Sequence, residues 1–426
     1  MDYTASMKYG TEVVDIEIKG AESVEVLNPD PMPEIEDTAE AFRICVEEGA
    51  IASAPLKEKI GPEDKITIIV SDITRSWMHQ GDILTLLGHY LHENMQVPFE
   101  NICVLIALGT HRKSSDKEME IIAGSYLYQN VTVVDHDCDG ECTLVGRTSR
   151  GTDVRVNPLV IGRKVIVVGG TVHHMMAGFG GGRKNILPGV SSRETIRQNH
   201  SRALDPNIAH SDPRVGCALL KDNPINEDMN EAGAMVEVAY SINIVVSTNG
   251  RFSGLFGGSL YEAWQASCVF QKKCYEKWID YEADIVLVSS GGFPKDMNLY
   301  QGCKGMLNGM RALKEGGTML WLAKCPEGCG APDYTAWLLP LKEGRLDEAL
   351  RADFTIGGFI FYLTVENLKK GNCRTLTTID NDTTQPMGMT AYTDPVEFIK
   401  GVDFTGKRVY VIPYGGSVVP MVKGID

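Results

Sequence analysis

The sequence predicts an α/β protein with two α/β domains and mainly parallel sheets, and three observations carry that reading. Short, almost wholly apolar runs such as KITIIV (65–70), ICVLIA (102–107), KVIVVGG (164–170) and DIVLVSS (284–290) read as buried strands. Segments of helical periodicity separate them, and strand alternating with helix implies parallel sheet. A length of 426 residues suits two domains, each with its own core.

Taken in order, 13–18 and 24–27 are short strands, and the prolines of 29–33 precede a helix over about 39–49. The strand 65–70 is followed by Ser71, Asp72, Ile73, Thr74 and Arg75, which sets a carboxylate and a guanidinium at its C-terminal end. Ile83, Leu84, Leu86, Leu87 and Leu91 then repeat at helical spacing over 81–94. The unit recurs: 102–107 is a strand, Gly109-Thr110-His111-Arg112 a loop, and Ser115 with Glu118 a capping box for a helix ending near Gly124. Strands follow at 131–134 and 164–168, the second leading past His173 and His174 into a glycine-rich stretch. A helix capped by Ser191 with Glu194 runs on toward Leu204.

Beyond Pro206 the reading gives a helix over about 225–235, a strand over 242–247, a turn at GLFGGS (254–259) and a helix containing Trp264. The charged composition of 272–280 marks the crossing between domains, taken as 1–275 and 276–426. The second domain opens with the strand 284–290, and a helix over 298–310 then sets Gln301 and Lys304 one turn apart on one face. Further strands lie at 318–323 and 408–412, with a cysteine-rich loop at 324–330.

In parallel sheets, ligands bind beyond the carboxyl ends of the strands, where Asp72, Arg75, His111 and His174 all fall. Each alone is equally a turn former or helix cap; their convergence on one sheet edge points to a site. The net charge of −15 argues against nucleic acid or an anionic membrane as partner. No run reaches the ~18 apolar residues of a membrane span, and the N-terminus lacks the pattern of a signal peptide, so a cytoplasmic protein is expected. Eleven cysteines without a regular framework fit reduced thiols, and neither Cys138 with Cys142 nor Cys325 with Cys329 has the spacing of a zinc site.

Residues 178–189 hold five glycines and the basic pair Arg183-Lys184 between a strand and a helix start, a setting in which backbone N–H groups approach an anion closely. It is not a Walker loop, because Asn185 follows Lys184 where a Ser or Thr is needed, and the glycine spacing is not the dinucleotide fingerprint. The set His174-x-x-Ala177-Gly178-Phe179, Gly181-Gly182-Arg183-Lys184, Pro188-Gly189 and Asn199-His200 resembles the nickel-pincer lactate racemase family. Gly180 stands where that family usually has Ser or Thr, and His173 where proline is common.

The resemblance implies an active site in an interdomain cleft. It implies that Lys184 is covalently joined to a nickel-pincer nucleotide (pyridinium-3-thioamide-5-thiocarboxylic acid mononucleotide) and that His200 ligates nickel. Asp72, Gly180, Gly181, Gly182 and Arg183 become cofactor contacts, and His111 and His174 the general bases. Arg75, Gln301 and Lys304 become ligands of a small anionic 2-hydroxy acid, and cofactor-biosynthesis enzymes are the expected maturation partners. Inverting such an acid means breaking a C–H bond whose proton is not acidic, which hydride removal achieves if a base takes the hydroxyl proton. Two bases serve the two enantiomers, and a cofactor stores the hydride. From the glycine loop alone, a nucleotide- or sugar-phosphate-binding transferase and a cofactor-free hydroxy-acid-binding protein stay open. Intact mass separates these readings, because only the racemase carries an adduct on Lys184.

Overall fold

The continuous apolar runs become the central strands of two six-stranded sheets in a computed structural model that describes residues 1–330 and 332–424. The chain divides into two units. The inner unit is Pro31–Ala203 with Pro213–Lys273, and the terminal unit is Met1–Asp30, Leu204–Asp212 and Cys274–Asp426.

The chain opens with an antiparallel hairpin, β1 (Tyr3–Tyr9) and β2 (Glu12–Ile18), followed by β3 (Ser23–Val26). Alternate residues of the hairpin (Ala5, Met7, Tyr9, then Ile16, Ile18) are buried, the period-two pattern of a ribbon with one wet face. The inner unit follows with β4 (Ile66–Ser71), β5 (Ile102–Ala107) and β6 (Thr132–Asp135). Next come a hairpin, β7 (Thr143–Arg147) and β8 (Asp153–Val156), and then β9 (Lys164–Gly170). Three short strands, β10 (His173–His174), β11 (Ala177–Phe179) and β12 (Gly216–Cys217), precede β13 (Val238–Val246) and β14 (Phe252–Gly258).

The inner sheet has the order β14-β13-β9-β4-β5-β6 and is parallel except at the edge strand β14. Its central strands β4, β5, β9 and β13 are buried on both faces, as the lack of polar alternation requires, while the edge strands β6 and β14 are only partly covered. The order runs outward from β4 through β5 to β6 and then turns back to β9, so its topological switch point lies between β4 and β9.

The terminal unit adds β15 (Glu276–Ile279), β16 (Ala283–Ser289), β17 (Leu313–Leu322), β18 (Asn372–Leu376), β19 (Met389–Tyr392), β20 (Arg408–Ile412) and β21 (Val419–Val422). Its wholly parallel sheet has the order β19-β18-β17-β16-β20-β3, which turns back between β16 and β20.

Four features depart from the sequence reading. Residues 1–30 group with 274–426 rather than with 31–273, because β3 pairs with β20 (Val24 opposite Val409) and the hairpin's apolar side chains join a core with Leu287, Leu320 and Val411. GLFGGS is the end of β14 and not a turn. A Cβ on Gly257 would stand 2.4 Å from the Cys45 carbonyl oxygen and one on Gly258 2.2 Å from that of Ile51, so these glycines admit neighbouring backbone. The N-cap of the helix Arg193–His200 is Ser192, while the Ser191 hydroxyl donates to the Ile186 carbonyl at 2.7 Å. Between 332 and 407 the chain forms helices such as Ile356–Leu368 as well as β18 and β19, none of which was predicted.

Candidate active site

The site is built where β4, β9 and β5 end side by side. Asp72 follows β4 as the first residue of a tight turn leading into the short helix Ile73–Met78, and it is buried. Its Oδ2 takes the Nδ1 proton of His111 at 2.6 Å, and its Oδ1 accepts from the Thr74 hydroxyl at 2.7 Å. Burial alone would raise this carboxyl; the hydrogen bond and charge of His111, then Thr74 and the Arg75 guanidinium, outweigh it and hold Asp72 below the ordinary carboxylate range. With Nδ1–H bound, His111 presents Nε2 as its lone-pair nitrogen. Arg75 makes only 3.4 Å contacts with the Thr74 carbonyl and hydroxyl among the described residues, so its donors suit an incoming anion.

His174 is placed by β10, which folds back on β11 so that His174 lies opposite Gly178. Its Nδ1 accepts from the Met176 and Ala177 amides, each at 3.2 Å, and its Nε2 lies 2.8 Å from Lys184 Nζ. Two amides aimed at Nδ1 and the Lys184 amine at Nε2 fix the orientation of the ring. His173 packs against the Phe179 ring, 4.5 Å between centroids.

The glycine-rich stretch is held by side chains that the sequence reading did not single out. Trp264 Nε1 donates to the Gly180 carbonyl at 2.7 Å, and a Cβ on Gly182 would stand 2.8 Å from the Trp264 ring. Gly181 and Gly182 both have positive φ, while a Cβ on Gly180 would meet only ordinary contacts. Arg183 is buried, its guanidinium 3.6 Å from the Trp264 ring centroid, and it donates to the Ala177 and Phe179 carbonyls at 3.1 Å and to Asn226 Oδ1 at 2.5 Å. Burial pushes it down to about 9. Asn185 ties the loop to the sheet, donating to the Val168 carbonyl at 3.1 Å and accepting from the Ser71 hydroxyl at 3.0 Å. The resemblance groups Asp72 and Arg183 with the cofactor contacts; here Asp72 orients His111, and Arg183 braces the loop from which Lys184 projects.

His200 ends the helix Arg193–His200 and is buried. Asn199 anchors that turn through Asp228 Oδ2 at 2.8 Å, and Asp228 also takes the Thr148 and Thr152 hydroxyls at 2.5 and 2.7 Å. His200 Nδ1–H donates to the Ile196 carbonyl at 3.1 Å, which leaves Nε2 as the lone-pair atom. Burial, with nearby Lys184 adding to it when protonated, pushes the ring down to about 3, so it stays neutral. A neutral imidazole oriented through its other nitrogen is the donor a metal needs. Among the described residues no three His, Cys, Asp or Glu side chains gather as a metal site.

Gln301 and Lys304 belong to the terminal unit, on the helix Leu299–Arg311 that Asn298 caps by accepting from the Gln301 amide at 2.9 Å. Lys304 Nζ donates to Gln301 Oε1 at 2.5 Å, and both side chains are part-exposed. The signals for Asn185 and Trp264 were present but bland, a polar residue after Lys184 and an aromatic in a helix; Asp228 gave none.

Comparison with known proteins matches residues 9–211 to the lactate racemase N-terminal domain and residues 279–352 to the lactate racemase C-terminal domain. The chain is similar to the lactate racemase of Thermoanaerobacterium thermosaccharolyticum, at 31% identity over 70% of this chain and 68% of that one. It is also similar to the lactate racemase of Lactiplantibacillus plantarum, at 30% identity over 70% of each. Among solved structures, the lactate racemase apoprotein of T. thermosaccharolyticum superposes with a TM-score of 0.85 and 25% identity over 98% of this chain and all of that one. A protein from Thermotoga maritima shares the fold at a TM-score of 0.61 and 18% identity, over 86% of this chain and 96% of that one.

Proposed function

The chain belongs to the lactate racemase family, and from that premise we propose that it racemises or epimerises a small 2-hydroxy acid, hydride leaving and returning at C2 while histidines carry the hydroxyl proton. The observation that supports this most directly is the pairing of His111 with Asp72 and of His174 with Lys184 beyond the ends of neighbouring strands. His111 Nε2 accepts the hydroxyl proton of one enantiomer, and the Asp72 carboxylate stabilises the imidazolium that results. His174 serves the other enantiomer through Nε2, which faces Lys184 here; presenting a lone pair there puts the ring proton on Nδ1 and displaces the Met176 and Ala177 amide contacts. Loss of proton and hydride leaves a planar 2-oxo acid, and hydride returned to its opposite face inverts the centre.

Arg75 binds the substrate carboxylate, for which a guanidinium has matched, paired donors. In the terminal unit, Lys304 and Gln301 form an ammonium–amide pair of the chemistry a carboxylate also takes. The residues fit a nickel-pincer nucleotide: Lys184 would join it covalently and the neutral His200 would ligate its metal, with the loop 178–182 beside them. That group would supply the reversible hydride acceptor that side chains lack. Cofactor-making enzymes are its maturation partners.

The test is co-expression with nickel-pincer biosynthesis enzymes, followed by intact and peptide mass analysis and an assay against a panel of chiral 2-hydroxy acids. An adduct on Lys184, its absence from Lys184→Ala, and interconversion of at least one enantiomer pair are expected. An adduct on another lysine, or a loaded protein inert toward the whole panel, overturns the reading.

A further inference from the structure

The rule that draws attention to the β4/β9 edge of the inner sheet applies equally to the terminal unit, where the strand order turns back between β16 and β20. The loops leaving those two strands are laced together, Gly415 N–H donating to the Ser289 carbonyl at 2.8 Å and Gly416 N–H to the Ser290 carbonyl at 3.3 Å. Lys295 sits in the first loop, turned by a 2.8 Å bond from its amide to the Gly292 carbonyl, and its Nζ donates to Ser417 Oγ in the second. Lys8 runs alongside on β1. The Ser289 hydroxyl donates to its carbonyl oxygen, and its ammonium lies 5.3 Å from the centre of the Tyr414 ring.

Glycines make room for both lysine stems. A Cβ on Gly291 or on Gly416 would stand 3.3 Å from Lys295 Cδ, and one on Gly292 would stand 3.1 Å from Lys8 Cβ and 2.7 Å from the Gly10 carbonyl oxygen. Among the described residues neither Lys8 nor Lys295 has a carboxylate partner. The adjacent Asp296 is engaged elsewhere, its Oδ2 accepting from the Gly10 and Lys324 amides at 2.7 and 3.1 Å. Lys295 is open to solvent on one side yet has protein packed around it; that packing first, and the Lys8 charge second, push its ammonium down to about 8. Like charges held together repel unless an anion lies between them. Ser417 accepts from Lys295, so its own O–H is left to donate.

We propose that this pair of loops binds the phosphate group of a small molecule, with the Lys8 and Lys295 ammoniums and the Ser417 hydroxyl as its donors. Two cations and a hydroxyl match a dianion with several oxygens better than a carboxylate with one charge. Its residues all belong to the terminal unit and none to the Gly178–Lys184 loop, and the proposal does not rest on the racemase reading.

Calorimetry on the full-length chain, at constant ionic strength, tests it with inorganic phosphate, adenosine monophosphate and acetate. Phosphate or the monoester should bind while acetate does not; inorganic phosphate alone identifies a free-phosphate site, and a tighter monoester identifies a phosphorylated metabolite. Lys8→Gln and Lys295→Gln should each weaken binding about tenfold or more, the loss expected for a charge-assisted hydrogen bond. Lys184→Ala should bind as the parent does. A second measurement needs no variant: phosphate should shield Lys8 and Lys295, and not Lys184, from acetic anhydride labelling read by peptide mass. Absence of binding by both phosphates, equal binding of acetate, loss of binding in Lys184→Ala alone, or labelling unaffected by phosphate each overturns the proposal.

Discussion

His111 and His174 are fixed through the same ring atom by opposite kinds of partner, and the difference has kinetic consequences. Asp72 accepts the Nδ1 proton of His111, so a second proton on that ring is welcomed; at His174 the Met176 and Ala177 amides aim N–H groups at Nδ1, so an imidazolium there would set donor against donor. In single turnovers of the loaded enzyme with 2-deuterated substrate, deuteride transfer from the enantiomer served by His174 should therefore be slower. Asp72→Asn should slow only the other half-reaction, by roughly 10²–10⁴-fold, the range for losing an oriented general base. Equal slowing of both enantiomers in that variant would remove the two-base assignment. His136 is a histidine of another kind, buried with Nε2–H donated to the Ser191 carbonyl at 2.9 Å and Nδ1 accepting from Asn157 Nδ2 at 3.1 Å. Burial lowers its pKa from the ordinary 6.5. The unfolded chain then takes up this proton at higher pH than the folded one, so the contribution to stability is complete above about pH 6.5 and falls as pH drops below it. His136→Gln should flatten the fall in melting temperature between pH 7 and pH 5; an unchanged slope would show that this ring does not titrate on unfolding.

At the scale of the element, the stretch from β9 to the helix Arg193–His200 separates two uses of glycine. Gly182 has positive φ and faces the Trp264 ring, so Gly182→Ala should destabilise the cofactor-free protein by about 1–3 kcal/mol, as overpacking does. A Cβ on Gly180 meets only ordinary contacts, the nearest at 3.6 Å, so Gly180→Ala should leave the thermal melt unchanged. If loading or activity then falls in Gly180→Ala, the loss reports on approach of a ligand to the backbone and not on packing. Equal melting temperatures for both variants would contradict this division. The same contrast marks what could be read in advance. β4, β5, β9 and β16 were legible because strands covered on both faces must be apolar throughout. Asp72, His111 and His174 were legible as a group because a polar residue after such a strand projects at the sheet edge. β14 was not, since its glycines are there to admit the backbone of Cys45 and Ile51, a contact between residues some two hundred positions apart. Nor was the partner of Asp72, or the stacking of Arg183 on Trp264, because neither pairing leaves a local pattern in the chain.

For the whole molecule, the most consequential arrangement is that the first thirty residues complete a sheet and a core otherwise made by residues 274–426. β3 covers the edge of β20 through pairs from Ser23–Arg408 to Val26–Val411. The hairpin delivers Ala5, Met7, Tyr9, Ile16 and Ile18 onto Ile285, Leu287, Leu320, Leu322 and Val409. At about 1.5–3 kcal/mol for each large buried apolar side chain, the loss of Met7, Tyr9, Ile16 and Ile18 alone is comparable to the 5–15 kcal/mol that stabilises a typical domain. It would also leave an unpaired strand edge beside an apolar face, the combination that drives aggregation. A chain starting at Pro31 should therefore express with an unfolded terminal unit, seen as loss of one thermal transition, as dye-binding apolar surface and as rapid proteolysis beyond Lys273. The inner unit should hold, since its core, from Phe42 to Phe252, draws nothing from the first thirty residues. Adding the 1–30 segment as a separate peptide should restore protease resistance to 274–424, because the contacts it makes are non-covalent and registered by strand pairing. Full protease resistance of the truncated chain without the peptide would mean that β1 to β3 decorate the terminal unit and do not complete it.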